Sequence, residues 1–189
     1  FKNQNIFISD ATVNIEPTVE ELAGIALLTA EKVRQLDIVP RIAMLSFSNF
    51  GSTNHPLTDK VRKATALVKK IAPDLTVDGE MMADTAVNPE ILNEYYSFST
   101  LKDKANVLIF PDLTSANTAY KLLACLGGAV AIGPMLLGIK KPVYLLGPGS
   151  TVNDIVNITA MAVFEAQRKS GEKPEKRYLK GLKEEVPVS

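Results

Sequence analysis

The apolar positions of this chain switch period as they run from the amino end. Asn5 to Ala11 (NIFISDA) is a short apolar run of strand character, and after Pro17 the pattern Thr18-Val-Glu-Glu21 is a capping box that opens a helix. Leu22, Ile25, Ala26, Leu28, Thr29, Val33 and Leu36 then recur at helical spacing. The unit repeats: Arg41 to Phe47 (RIAMLSF) reads as a strand, Asn49 to Asn54 as a polar turn, and Pro56 suits the first turn of a helix ending near Ala72-Pro73. Leu75 to Ala86 resumes extended character, Asn88-Pro89 caps a short helix, and Ala105 to Phe110 (ANVLIF) is a buried strand. Thr114-Ser115 caps a helix to Leu126, which Gly127-Gly128 ends. Pro142 to Leu146 (PVYLL) is a further strand, followed by the loop Gly147-Pro-Gly-Ser-Thr151 and a helix over 151–168.

Strands alternating with helices predict an α/β fold, with a mostly parallel sheet covered on both faces. No internal repeat and no low-complexity linker cuts the chain in two. Residues 1–167 read as one folded module, and 168–189, with seven basic and four acidic residues, as a charged, partly ordered tail.

Charge changes the picture by exclusion. The 21 basic and 21 acidic side chains cancel, which removes the long-range field that would draw in nucleic acid or an anionic membrane. The single cysteine, Cys125, has no internal disulfide partner and is expected as a small buried apolar residue. With His55 the only histidine, no Cys/His set has metal-ligand spacing, and no metal is expected. No apolar run approaches the roughly 18 residues of a membrane span, so a reducing, cytoplasmic setting is expected.

In such folds ligands sit beyond the carboxyl ends of the strands, so four loops hold the candidate chemistry. Ser46 to His55 (SFSNFGSTNH) is rich in hydroxyls and leads into a helix, which suits either a phosphate or an ordinary polar turn. His55 is a general base or a polar cap before Pro56. In Asp78 to Asn88, Asp78, Glu80 and Asp84 stand at even spacing, so an extended strand would put the three carboxylates on one face. They would bind a divalent cation or form a solvated edge, and the lack of a nameable further ligand favours the edge. Pro111 to Asn117 is the third loop. The fourth, Gly147 to Asp154, looks most like an anion cradle, although Pro148 has no N–H to give. Asp154 is either a base or the fourth residue of a Thr-x-x-Asp capping box.

Several stretches, taken together, resemble the phosphate acetyl/butyryltransferase family, and within it the phosphotransacetylase-like module of bacterial NADP-dependent malic enzymes. They are Val13-Asn14 with Pro17-Thr18, Ala43-Met-Leu-Ser-Phe-Ser48 with Gly51-Ser52, Val77-Asp-Gly-Glu80, Asn106 to Asp112, Leu126-Gly-Gly128 through Ala131-Ile-Gly-Pro134, and Asp154-Ile-Val-Asn157. Asn49-Phe50 and His55-Pro56 tilt the likeness toward the malic enzyme module. The resemblance implies a three-layer α/β/α fold like that of isocitrate and isopropylmalate dehydrogenases. It also implies that the chain is the second subdomain of a module whose active members transfer an acetyl group between CoA and phosphate in a cleft between two subdomains.

The family's active loop reads Ser-Arg-Gly-Cys-Ser, with an Asp base following after two residues. Here those positions are Gly147-Pro148-Gly149-Ser150-Thr151 and then Asp154, so the hydroxyl and the guanidinium are gone. Cys125 stands where acetyltransferases commonly carry an arginine that contacts CoA. The resemblance therefore implies Ser46, Ser48, Gly51, Ser52, Gly149, Ser150 and Thr151 as ligand-binding residues, and Asp154 as the catalytic residue if transfer persists. The reading it favours is a regulatory and oligomerisation domain, homodimeric or larger, whose degenerate site senses acetyl-CoA or acetyl phosphate. NADP and Mg2+ or Mn2+ would belong to other domains of the parent enzyme, which oxidatively decarboxylates malate to pyruvate. The alternatives are an active phosphate acetyl/butyryltransferase and a ligand-free dimerisation scaffold.

Overall fold

The computed structural model describes residues 4–169, so positions 170–189 of the expected tail lie outside the described residues. The described residues divide into two compact units, one up to Ala129 and one from Val130 onward.

In the first unit, four strands form a parallel sheet in the order β1-β4-β2-β3: β1 Phe7–Ser9, β2 Arg41–Leu45, β3 Thr76–Met81 and β4 Val107–Ile109. Alternation along these strands sends side chains to two separate cores. Ile42, Met44, Val107 and Ile109 pack with Leu22, Ala26 and Val33 of α1 (Val19–Gln35) and with Val61, Ala64 and Val68 of α2 (Pro56–Ile71). Ala43, Leu45 and Leu108 pack on the other face with Ala86 of α3 (Ala83–Val87), Leu92 of α4 (Pro89–Tyr95) and Leu101. This is the three-layer α/β arrangement expected from the alternating pattern.

Local chemistry sets the helix ends. Thr18 accepts from the Glu21 N–H at 3.2 Å while Glu21 accepts from the Thr18 N–H at 2.8 Å, closing the predicted box. Of the helical apolar series, Leu28 faces outward, 40% exposed. Asn88 caps α4 through Glu90 N–H. The helix α5 (Leu113–Cys125) is capped by Asp112, which accepts from Ser115 N–H at 2.8 Å, rather than by Thr114-Ser115. The expected extended segment 75–86 is shorter than predicted, because α3 begins at Ala83.

One irregularity reorganises the edge strand. Met44 pairs with Gly79 but Leu45 pairs with Met81, so Glu80 is an extra, bulged residue. Val77 and Met81, four apart, would share a face of a regular strand; here they enter opposite cores. Gly79 has φ +141, and a Cβ there would lie 2.5 Å from the Met44 carbonyl oxygen.

The second unit holds an antiparallel pair, β5 Met135–Leu136 with β6 Val143–Tyr144, and the helix α6 Val152–Lys169. Residues 142–146, expected as another strand of the parallel sheet, thus form a separate hairpin-like ladder. Tyr144 Oη donates to Glu165 at 2.9 Å; burial, and then the carboxylate, push the phenol above its ordinary range, so it stays a donor.

Two glycines make opposite predictions. Gly79→Ala should cost about 2 to 4 kcal/mol, because it adds both a positive φ and a clash. Gly24→Ala, in the middle of α1 with nothing within 4 Å of the added methyl, should stabilise by about 0.5 to 1 kcal/mol. Urea unfolding midpoints of the two variants check both signs.

Candidate functional site

The loop between β2 and α2 is closed on itself around a buried carboxylate. Glu80 is completely buried; its Oε1 accepts from Gly51 N–H at 2.7 Å and from Ser48 Oγ at 3.1 Å, and its carbonyl accepts from Phe50 N–H at 2.8 Å. Ser48, also fully buried, accepts from Thr53 N–H, while Asn49 N–H reaches Ser52 Oγ and Ser52 N–H reaches the Asn49 carbonyl. The N–H groups of residues 49–53 are therefore all spent, and the loop offers no backbone cradle to a phosphate. Ser48, Gly51 and Ser52 do come together, but around Glu80. Ser46 is half-buried and gives its N–H to the Met81 carbonyl. His55 is the cap of α2, accepting from Leu57 N–H on Nδ1 at 3.1 Å, which leaves its proton on Nε2.

The three carboxylates expected to converge do not, and two of them are not solvated either. The bulge gives Asp78 and Glu80 different partners, and Asp84 lies in α3. Asp78, 5% exposed, accepts from Lys69 Nζ at 2.6 Å on one oxygen, and from Ser99 Oγ at 2.8 Å and Thr100 N–H at 2.7 Å on the other. Burial works to raise its pKa, but these bonds and the Lys69 charge outweigh it, and the carboxyl sits below its ordinary value. The second oxygen of Glu80 accepts no hydrogen bond among the described residues; it forms an ion pair with the Arg62 guanidinium, whose Nε lies 3.4 Å away. Among the described residues no three His, Cys, Asp or Glu side chains gather in a way that could hold a metal ion.

The Gly147–Asp154 loop lies in the second unit and starts with a turn closed by Ser150 N–H on the Gly147 carbonyl at 3.1 Å. Asp154 accepts from Thr151 N–H at 2.8 Å and from Thr151 Oγ1 at 2.9 Å, while its own N–H returns to Thr151 Oγ1 at 3.2 Å. The Thr-x-x-Asp segment is a capping box for α6, and the Thr151 bonds hold the Asp154 carboxyl below its usual range. That makes it a weaker proton acceptor than a free aspartate. Gly149, Ser150 and Thr151 thus shape a helix entry, and a Cβ at Gly147 or Gly149 would meet nothing within 4 Å.

The third loop is likewise occupied: the Pro111 carbonyl accepts from Lys60 Nζ at 2.9 Å, and Asn117 bonds the Ala11 carbonyl. Cys125, expected to be buried, is exposed, because the C-terminal half of α5 projects past its packing; Leu122 and Leu126 beside it are 52% and 81% exposed. A shallow depression of about 270 Å³ lies at the opposite ends of the strands, and its Arg34 and Asp74 are paired at 3.0 Å.

Two features escaped the sequence reading. One is Arg62, whose place in a helical stripe gives no hint of Glu80. The other is a ring cluster in which Phe50 lies 5.1 Å from Tyr96 and 4.9 Å from Phe98. Phe50 has φ +48, a left-handed conformation unusual for a bulky residue and worth about 1 to 3 kcal/mol of strain.

Comparison with known proteins agrees with this architecture. Residues 1–163 match the family model described as phosphate acetyl/butaryl transferase. The chain is 47% identical over 164 residues to an NADP-dependent malic enzyme of Escherichia coli, covering 86% of this chain and 22% of that protein. It is 43% identical to a phosphate acetyltransferase of Clostridium acetobutylicum, covering 86% and 49%. A crystal structure of a phosphotransacetylase from Streptococcus pyogenes superposes with a TM-score of 0.82 at 42% identity, over 88% of this chain and 51% of that one. The chain thus spans about half or less of the length of these relatives.

The Asp78 network predicts a pH dependence. A carboxyl held below its unfolded value of about 3.9 stabilises the fold fully above that pH, and the contribution is lost as pH falls through the depressed folded value. Asp78→Asn should lower the melting temperature at neutral pH and flatten its fall below about pH 4 relative to wild type, as read by circular dichroism melts.

Proposed function

The chain belongs to the phosphate acetyl/butaryl transferase family, and from that premise we propose that it is a regulatory and oligomerisation domain of an NADP-dependent malic enzyme. Its site would read acetyl-CoA or acetyl phosphate without transferring the acetyl group. The observation that carries this reading is the Gly147-Pro148 pair, where transfer would need a hydroxyl and a guanidinium to meet negative charge on the reacting centre. Losing one such donor costs on the order of 10² to 10³ in rate, and both are missing. Asp154, the remaining candidate base, is tied to Thr151 as a helix cap.

The parent reaction would be the oxidative decarboxylation of malate to pyruvate. NADP and Mg2+ or Mn2+ would be held by parts of the enzyme outside these 189 residues. A setting in the cytoplasm fits this reading, and among the described residues no helix is long and apolar enough to cross a membrane. The exposed leucines on the last turns of α5 are the kind of surface that self-association covers, which supports a homodimer or larger assembly. Sensing requires that acetyl-CoA bind two states of the enzyme with different affinity.

Two assays on the full-length protein test the proposal. Acetyl-CoA should change the rate of malate oxidation, and removing this domain should abolish the response; an equal response with and without it overturns the sensing role. Acetyl phosphate and CoA should yield no acetyl-CoA above background. A clear rate that Asp154→Ala abolishes would instead establish a working transferase.

A further inference from the structure

The chain enters α2 through a clasp with two unlike halves. In one half, His55 N–H donates to Thr58 Oγ1 at 3.2 Å. That hydroxyl lies 2.9 Å from the Thr53 carbonyl and 2.8 Å from the His55 carbonyl, either of which can take its proton. Thr58 is fully buried and carries no group that titrates. In the other half, Leu57 N–H donates to His55 Nδ1 at 3.1 Å. His55 is exposed, and its ring stands edge-on to Phe47, 5.7 Å between centroids at 67°. One half of the clasp is therefore shielded and chemically fixed. The other faces solvent and depends on the only histidine of the 189 residues.

The caps of α1, α4 and α5 accept through oxygens of Thr18, Asn88 and Asp112. At α2 the acceptor is a ring nitrogen, and the lone pair that receives Leu57 N–H is the one that would receive a proton. A proton on Nδ1 sets two donors against each other and adds positive charge where the helix dipole is already positive. The groups around the ring do not offset this. Phe47 brings no charge, and the 46–54 loop has no titratable side chain. Asp59, the acid in the first turn of α2, is bound to Lys63 Nζ at 2.7 Å, while Glu80 and Arg62 are engaged with each other. Among the described residues no carboxylate pairs with the imidazole. The closed clasp requires a neutral ring, and the opened one binds one proton more, so closure strengthens as pH rises and weakens as histidine charges in mild acid. We propose that His55 is a pH-sensitive latch: neutral, it closes the end of the β2–α2 loop onto the helix through Leu57, and protonated, it releases that end while Thr58 and Glu80 hold the rest. The latch is independent of the sensing role.

Two NMR measurements on the full chain test the latch. The ring nitrogens of His55 should show, at pH 7.5, a proton on Nε2 and a bare, hydrogen-bonded Nδ1; a proton on Nδ1 at that pH overturns the proposal. Hydrogen exchange of the Leu57 amide, corrected for the intrinsic pH dependence of exchange, gives the strength of the clasp. Its protection should fall about five-fold between pH 7.0 and 5.5, the loss expected for one helix cap. The Glu21 amide, which donates to the hydroxyl of Thr18 at the head of α1, is the internal control and should not change over that range. His55→Asn supplies a cap that does not titrate, so its Leu57 protection should be the same at both pH values. His55→Ala removes the cap, and its protection should be low at both. No fall in wild type, an equal fall in His55→Asn, or a parallel fall at Glu21 overturns the latch. So does wild-type protection at pH 7.0 in His55→Ala.

Discussion

A carboxylate with no exposure must find its partners inside the protein, and Glu80 finds them in two different segments. Gly51 and Ser48 come from the loop after β2, and Arg62 comes from α2. To reach them, the strand has to bulge at Glu80, and the bulge in turn needs Gly79, whose missing Cβ leaves room for the Met44 carbonyl. The same bulge sends Met81 into the second core rather than the first. Sheet edge, loop conformation, helix contact and the division between two cores are thus coupled through one side chain. A buried ion pair is poor evidence of net stability, but it specifies a geometry well, and here the geometry specified is that of the loop.

That coupling bears on what the carboxyl ends of the strands can offer. A loop whose N–H groups are spent internally offers no backbone donors to phosphate, so any contact it makes outward is through side chains. In the Gly147–Asp154 loop, too, the aspartate serves Thr151 and the start of α6. In both loops these polar groups serve the fold. For the proposed role this is coherent, since a sensor needs a well-defined surface, whereas transfer needs donors aimed at developing charge.

Much of this was legible in the chain. The capping box at Thr18 and Glu21, the proline that opens α2 and the β-strand alternation each depend on residues within one turn or one strand, so local chemistry fixed them. The Thr151-x-x-Asp154 cap was legible for the same reason. Where the reading failed, the missing information lay far away in sequence. Asp78 and Glu80 looked like one carboxylate face because strand period is two; a bulge dictated by Gly79 and Met44, 35 positions apart, broke that period. Cys125 looked buried because it follows an apolar helical run, yet the run extends past the sheet that would cover it.

By itself, then, the sequence determined the order and type of the elements, the parallel α/β architecture and the absence of a hydroxyl and a guanidinium from Gly147 and Pro148, because each is a property of local pattern or residue identity. The tertiary structure alone decided that Glu80 and Arg62 are partners, that the hydroxyl-rich loop is closed, and that Phe50 is held beside Phe98. Those outcomes depend on burial, where a charge without a partner costs too much to leave alone, and burial is set only when distant segments meet.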